Sequence, residues 1–151
     1  MRVKQAIQTI ILFMVGSLGA AFASDVAIST PGLSGYDPVA YFTEGKAVRG
    51  SGFHVAVHLG VTYAFASKVH KAAFQENPER YLPTYGGYCA YGVALGKKFV
   101  ADPEVWKVVG GKLYLNLDRD IQEKWNMDIP GYIAKAEKNW AQIKEKQASD
   151  L

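Results

Sequence analysis

Residues 53–66, with the sequence FHVAVHLGVTYAFA, decide the fold prediction for this chain. In residues 53–58, large apolar side chains alternate with histidine and alanine, and residues 61–65 alternate between larger and smaller side chains in the same way. A period of two is typical of a strand with one buried face, and Leu59-Gly60 lies between the two runs as a turn. The stretch therefore predicts a β-hairpin, with His54 and His58 as exposed residues on its outer face.

A second hairpin is predicted further along the chain. Gly110-Gly111 separates two apolar runs, residues 105–109 and 112–117. A glycine pair between such runs is typical of a tight hairpin turn, because both central residues can adopt positive φ. No internal repeat is visible in the sequence.

Helices are predicted around the two hairpins. Ser67 and Asp118 each precede a helical pattern that they can cap, and Asp37-Pro38 is a further helix-start signal. After Asp128 a final amphipathic helix is expected to run to about Lys146, with an inner stripe formed by Ile133, Ala136, Trp140 and Ile143. The prediction is a small α+β domain with two β-hairpins, several short helices and a longer C-terminal helix.

The first residues resemble an export signal. Arg2 and Lys4 precede an apolar run over residues 6–21, and Ala21-Phe22-Ala23 supplies a cleavage site of small residues. We expect cleavage after Ala23 and a periplasmic or secreted product with no membrane segment. The chain of 151 residues then divides into four parts: a signal peptide at 1–23, a flexible arm at 24–34, a folded domain with its C-terminal helix at 35–146, and a tail at 147–151.

Composition and motifs exclude several function classes. The chain has 17 basic and 14 acidic residues and no basic run, which argues against nucleic acid as a partner. It contains no nucleophile elbow, phosphate-binding loop or zinc-protease motif, so we predict that it is not an enzyme.

Cys89 is the only cysteine, within the segment YGGYCAYG at residues 85–92. In an oxidising compartment a single thiol has no internal disulfide partner. It is then a buried apolar residue, a partner in an intermolecular disulfide, or a reactive thiol or soft-metal ligand. The sequence leaves these alternatives open.

Several separate segments resemble the YHS domain family. The hairpin strand GVTYAFAS at residues 60–67, Phe74, and the NPERYL exit at residues 77–82 are similar to the strand, helix and exit of that domain. The longer exported form of the family is resembled by Asp37-Pro38-Val39, Tyr88–Gly92, Gly96-Lys97-Lys98 and Lys112–Asn116. The resemblance covers residues 35 to about 140.

The resemblance implies a metal-binding role, because related domains occur in copper transporters and metal sensors. The family's cysteines are replaced here: alanine stands at residues 40 and 66, and His70 stands at the third position. The usual thiolate site is therefore missing. The ligands expected in its place are Cys89 and His70, with His58 as a third, and a thiolate with imidazoles suits Cu(I) or Zn(II).

Each histidine also has a structural interpretation. His70 can be a partly buried residue satisfied by a backbone carbonyl. His54 and His58 share a strand face but lie about 13 Å apart along it, too far for one metal ion. Lys97 and Lys98 are expected to be solvated loop residues.

Three functional hypotheses follow. The first is an exported, non-enzymatic YHS-type protein that binds or delivers a transition metal such as copper. The second is a structural or protein-interaction module of the cell envelope that binds no metal. The third, a thiol enzyme that uses Cys89 and a histidine, has no supporting spacing.

Overall fold

The structure, a computed structural model, describes residues 30–151. It confirms a small α+β domain with two antiparallel β-hairpins and a longer C-terminal helix. The first hairpin consists of β1 (Ser51–His58) and β2 (Val61–Phe65). The second consists of β3 (Asp102–Val109) and β4 (Lys112–Asn116). Each hairpin forms its own two-stranded sheet.

Six helices surround the hairpins in the described part of the chain: α1 (Ala40–Thr43), α2 (Lys68–Glu76), α3 (Pro78–Tyr81), α4 (Ala90–Ala94), α5 (Arg119–Asn126) and α6 (Ile129–Ile143). Short 3₁₀ turns occupy Gly32–Gly35, Thr84–Gly87 and Ala148–Asp150. The predicted caps are confirmed: the Ser67 side chain accepts from the His70 N–H, and Asp118 accepts from the Ile121 N–H.

The structure contains an internal repeat, so the prediction that the chain has none was wrong. From the first hairpin to the helix that follows it, every element recurs 51 residues later. Both hairpins have the same strand lengths and the same irregularity in register, between Ser51 and Val55 and between Asp102 and Trp106. Ser67 and Asp118 are equivalent caps.

The segments that precede the hairpins are also equivalent. Each begins with a 3₁₀ turn that contains left-handed residues. The Asp37 N–H donates to the Val48 carbonyl in the first, and the Cys89 N–H donates to the Phe99 carbonyl in the second. We call residues 31–82 unit 1 and residues 83–143 unit 2. Asp37 in unit 1 is thus the counterpart of Cys89 in unit 2.

Each unit has its own core. In unit 1, Phe65 and Phe74 pack with Val39, Tyr63 and Tyr81. In unit 2, Tyr114 and Trp125 pack with Tyr85 and with residues of α4 and α6. A third cluster joins the units, because Tyr36 and Tyr41 of unit 1 pack on Leu113 and Leu115 of β4.

The prediction of which face of β1 is buried was wrong. His58 and Ala56 lie on the side covered by α2, and the His58 ring packs edge-on against Phe74. Phe53 and Val57 are exposed instead. Alternation shows which side chains share a face, but the position of α2 decides which face is covered.

Both hairpin turns have two central residues with positive φ, as type I′ turns require. These are Leu59 (φ 48°) and Gly60 (φ 79°) in the first hairpin, and Gly110 and Gly111 in the second. Leucine adopts this conformation at a cost of about 1 kcal/mol. Because this turn has only two central residues, it fixes the register of β1 against β2, although leucine is unfavourable at the first of them.

The predicted signal peptide lies outside the described residues. Leu33, within the predicted arm, packs against the cluster that joins the units, and Leu151, within the predicted tail, packs against the unit 2 core. Among residues 30–151, no helix combines the length and the apolar character that crossing a bilayer requires.

Candidate functional site

Asp37 is a fully buried carboxylate at the start of unit 1, with 0% of its surface exposed. Its Oδ1 accepts from the Val39 N–H at 2.8 Å, which organises the turn into α1. Its Oδ2 accepts from the Ala66 N–H at 2.8 Å, directly after β2. One side chain therefore ties the first turn of the unit to the end of its hairpin.

His70 completes the surroundings of this carboxylate. The Ser67 cap places His70 in the first turn of α2, and its Nδ1 lies 2.7 Å from Asp37 Oδ2. Its Nε2 lies 3.5 Å from Thr43 Oγ1 and 3.7 Å from Glu44 Oε1. The histidine is therefore held by a carboxylate, rather than by the backbone carbonyl that the sequence suggested.

The Asp37–His70 pair orients the imidazole. With a proton on Nδ1 donated to Asp37, the lone pair of Nε2 faces Thr43 and Glu44 near the surface, where the His70 side chain is 15% exposed. A carboxylate behind an imidazole fixes its tautomer and ring orientation, as it does for many metal-binding histidines. Chemically, His70 can present Nε2 as one nitrogen ligand, and the Glu44 carboxylate beside it can supply an oxygen ligand.

Cys89 lies at the equivalent position in unit 2 and is only 1% exposed. Its Sγ accepts from the Gly92 N–H at 3.4 Å and lies 3.7 Å from Asn116 Oδ1. Burial raises the pKa of the Cys89 thiol above its ordinary value, while the N–H groups of Gly92 and Leu117 act in the opposite direction. Leu117 is the counterpart of Ala66, so the backbone N–H directly after the second strand faces the carboxylate in unit 1 and the thiol in unit 2.

Unit 2 has no imidazole at this place. The counterpart of His70 is Ile121, whose N–H bonds the Asp118 cap. In the described residues no histidine is hydrogen-bonded to Cys89, whose side-chain neighbour is Asn116. The structure gives the thiol no base, and it favours the reading of Cys89 as a buried packing residue.

The burial of Cys89 predicts a pH dependence of stability. Because the folded state raises the thiol pKa above the ordinary value of 9.0, this group favours folding below that pH, and the contribution is lost as pH rises and the unfolded thiol ionises. We expect the free energy of unfolding of the wild type to fall relative to Cys89→Ala between about pH 7.5 and about pH 9.5. Urea unfolding of both chains measures the difference, and a difference that stays constant would contradict the prediction.

His58 lies apart from these residues in its contacts. Its Nε2 is 3.2 Å from Glu79 Oε1, and its ring packs against Phe74. Within residues 30–151 no group of three or more histidine, cysteine, aspartate or glutamate side chains is arranged to hold a metal ion. The structure therefore does not bring Cys89, His70 and His58 together as three ligands.

Several residues of the site were not singled out in the sequence. Asp37 was predicted only to start a helix within a YHS-like turn, Asn116 was named only as the end of a YHS-like strand, and Glu44 was not named. The expectation for Lys98 was wrong: it is 8% exposed, and its ammonium donates to the carbonyls of Lys144 and Lys146 beyond the end of α6. Its ammonium also lies 5.3 Å from the Trp140 ring. A buried cation at a helix C-terminus satisfies carbonyls that have no partner within the helix.

A cavity of about 240 Å³ lies between the two units. Its lining includes Leu33 and Tyr63 of unit 1 and Tyr88 and Leu115 of unit 2, and it contains no acidic, basic, histidine or cysteine side chain. The predicted ligands therefore do not contribute to it.

Comparison with models of known families, with curated proteins and with solved structures found no match to this chain. The resemblance to the YHS family therefore rests on the sequence segments quoted above.

Proposed function

We propose that this chain is an exported, non-enzymatic binding protein of the YHS type whose ligand is another protein of the cell envelope. The observation that carries the proposal is the apolar outer face of the first hairpin. This outer face consists of Phe53, Val55 and Val57, next to Leu59 in the turn, with exposed fractions of 93%, 38%, 69% and 84%. Contiguous exposed apolar side chains of this kind are typical of interaction surfaces.

The second hairpin supports this interpretation. Its counterparts of Val55 and Val57 are Trp106 and Val108, which pack against the cluster that contains Tyr36 and Tyr41 of unit 1. The face is thus covered in the second hairpin, whereas in the first hairpin its β1 side is exposed and Ala64 on β2, the counterpart of Leu115, is 7% exposed. Burying a valine contributes about 1.5 kcal/mol or more, so covering the outer face can support binding.

Photo-crosslinking in the native envelope tests the proposal. A photoreactive residue at position 57 is expected to form an adduct with one protein, and the same residue at position 69 is not. Val69 is a matched control, because it is 75% exposed and lies on α2. The captured protein, once identified and purified, should bind the wild-type chain at least about tenfold more tightly than Val57→Lys, the loss expected when a buried valine contact becomes a charge. Equal labelling from both positions, or equal affinity of the variant, would count against a role for this face.

A second candidate function is transition-metal binding at His70. The observation that favours it is the 2.7 Å contact between Asp37 and His70, which turns Nε2 toward Glu44. Because Cys89 is not part of this arrangement, the donors are nitrogen and oxygen instead of sulfur. Of the two ions expected from the sequence, Cu(I) or Zn(II), these donors suit Zn(II), and they also suit Cu(II), with water completing the coordination.

Metal titration of the full chain tests the second candidate. We expect one equivalent of Zn(II) to bind, His70→Asn to abolish binding, and Glu44→Gln to weaken it by about tenfold, a loss typical of removing a supporting group. His54→Asn is the matched control, and Cys89→Ser should bind as the wild type does. Unchanged affinity in His70→Asn, or no binding by the wild type, would remove the metal function.

A further inference from the structure

We infer that the outer face of the first hairpin receives a short helical turn that carries aromatic side chains, supplied by a different protein. The inference rests on the proposed protein-binding function and names the chemistry of the partner. It comes from the internal repeat, because this chain already shows how the equivalent face is covered in unit 2.

The second hairpin is covered by α1 and the turn before it. The Tyr41 ring meets Trp106 edge-on, with centroids 5.1 Å apart, and its hydroxyl donates to the Pro103 carbonyl at 2.9 Å. The Tyr36 hydroxyl donates to the Glu104 carboxylate. One helical turn and the residues just before it thus cover the face with aromatic side chains. The hydroxyls of Tyr36 and Tyr41 fix the position of this segment on the hairpin.

The first hairpin presents the same framework with different side chains. The shared register makes Val55 the counterpart of Trp106 and Val57 the counterpart of Val108. Because Val55 is smaller than Trp106, the partner can place beside it an aromatic ring larger than that of Tyr41. Phe53 stands where Glu104 accepts a hydroxyl, so the partner should place an apolar group there instead of a tyrosine hydroxyl.

Among its described residues, this chain has no further helical turn with aromatic side chains that is free to cover the outer face. Its α1 is already engaged with the second hairpin. The counterpart of α1 in unit 2 is α4, which α6 covers: the Asn139 amide donates to the carbonyls of Val93 and Ala94 at 3.2 and 3.0 Å. Val93 is fully buried as a result. Within residues 30–151, α1 therefore covers the second hairpin while α4 does not cover the first, and Phe53 and Val57 of the outer face stay exposed.

The test is a titration of the isotope-labelled full chain with a synthetic peptide of residues 31–50, PGLSGYDPVAYFTEGKAVRG, which carries the segment that covers the second hairpin, with Tyr36→Phe to place an apolar group opposite Phe53. Amide resonances of Val55 and Val57 should shift in a saturable way below about 1 mM peptide. Val57→Lys in the chain should weaken binding at least about tenfold, whereas Val69→Lys should not change it. Replacing the two aromatic residues Tyr41 and Phe42 in the peptide by alanine should abolish the shifts.

Three outcomes would overturn the inference. They are the absence of saturable shifts at Val55 and Val57, shifts centred on Trp106 instead, and self-association of the chain that Val57→Lys removes, which would make a second copy the occupant. If crosslinking from position 57 still captures a protein when the peptide fails, the partner chemistry is wrong and the protein-binding function stands. If crosslinking fails as well, both are wrong.

Discussion

Replacing Asp37 by alanine should destabilise the fold by about 3–5 kcal/mol, the cost expected when a buried, hydrogen-bonded carboxylate is removed and its partners are left unpaired. The change deletes the acceptor for the Val39 and Ala66 N–H groups and the partner of His70 Nδ1. The Val39 and Ala66 N–H groups would then lack an acceptor in or near the protein interior. Urea unfolding followed by circular dichroism gives the difference in free energy, provided that the m-value is unchanged.

The matched control for this variant is Glu123→Ala, which removes an exposed carboxylate from α5. We expect that control to change stability by less than about 0.5 kcal/mol, as surface substitutions usually do. Asp37→Asn, which keeps one oxygen acceptor, should lie between the two. A loss in Asp37→Ala no larger than in the control would show that the carboxylate does not organise unit 1.

Trp125 should respond very differently to two substitutions. It is fully buried in unit 2, and its Nε1 has no hydrogen-bond acceptor among the described residues. Trp125→Ala should therefore cost about 3–5 kcal/mol through the cavity it leaves. Trp125→Phe should cost less than about 1.5 kcal/mol, because it keeps most of the packing and removes a buried donor that has no partner.

Phe74→Ala is the corresponding variant in unit 1, since Phe74 is the counterpart of Trp125 and is also fully buried. Its cost should be close to that of Trp125→Ala, and chemical denaturation of all three variants allows the comparison. A loss in Trp125→Phe as large as in Trp125→Ala would indicate that the indole N–H is satisfied in solution, for example by a bound water molecule.

The local elements were predictable because their signals lie within a few neighbouring residues. Ser67 and Asp118 identified two helix starts, and Gly110-Gly111 identified a hairpin turn. The side of the first hairpin that α2 covers was not predictable, because alternation is the same for either choice. The repeat was missed because Asp37 and Cys89 differ in chemistry, and so do His70 and Ile121, although their backbone environments match.

The candidate site could be predicted only in part. His70 was named as a candidate ligand, but Asp37 lies 33 residues earlier, and no local pattern joins the two. The pairing of Cys89 with His70 was expected from the chemistry of thiolates and imidazoles. The repeat explains why it does not occur in this fold: each residue belongs to a different unit, and Asn116 and Asp37 take the respective partner positions.

The turn at Leu59-Gly60 has a consequence for the behaviour of the protein in solution. A shift of β1 by one residue would hide its valines, but it would also expose the side of the strand that packs on Phe74 and would break a turn whose two residues are held at positive φ. The strand cannot rearrange to bury its own apolar side chains. Without a bound partner, the protein should therefore be prone to aggregate as its concentration rises, and this tendency should originate from a well-folded state and not from partial unfolding.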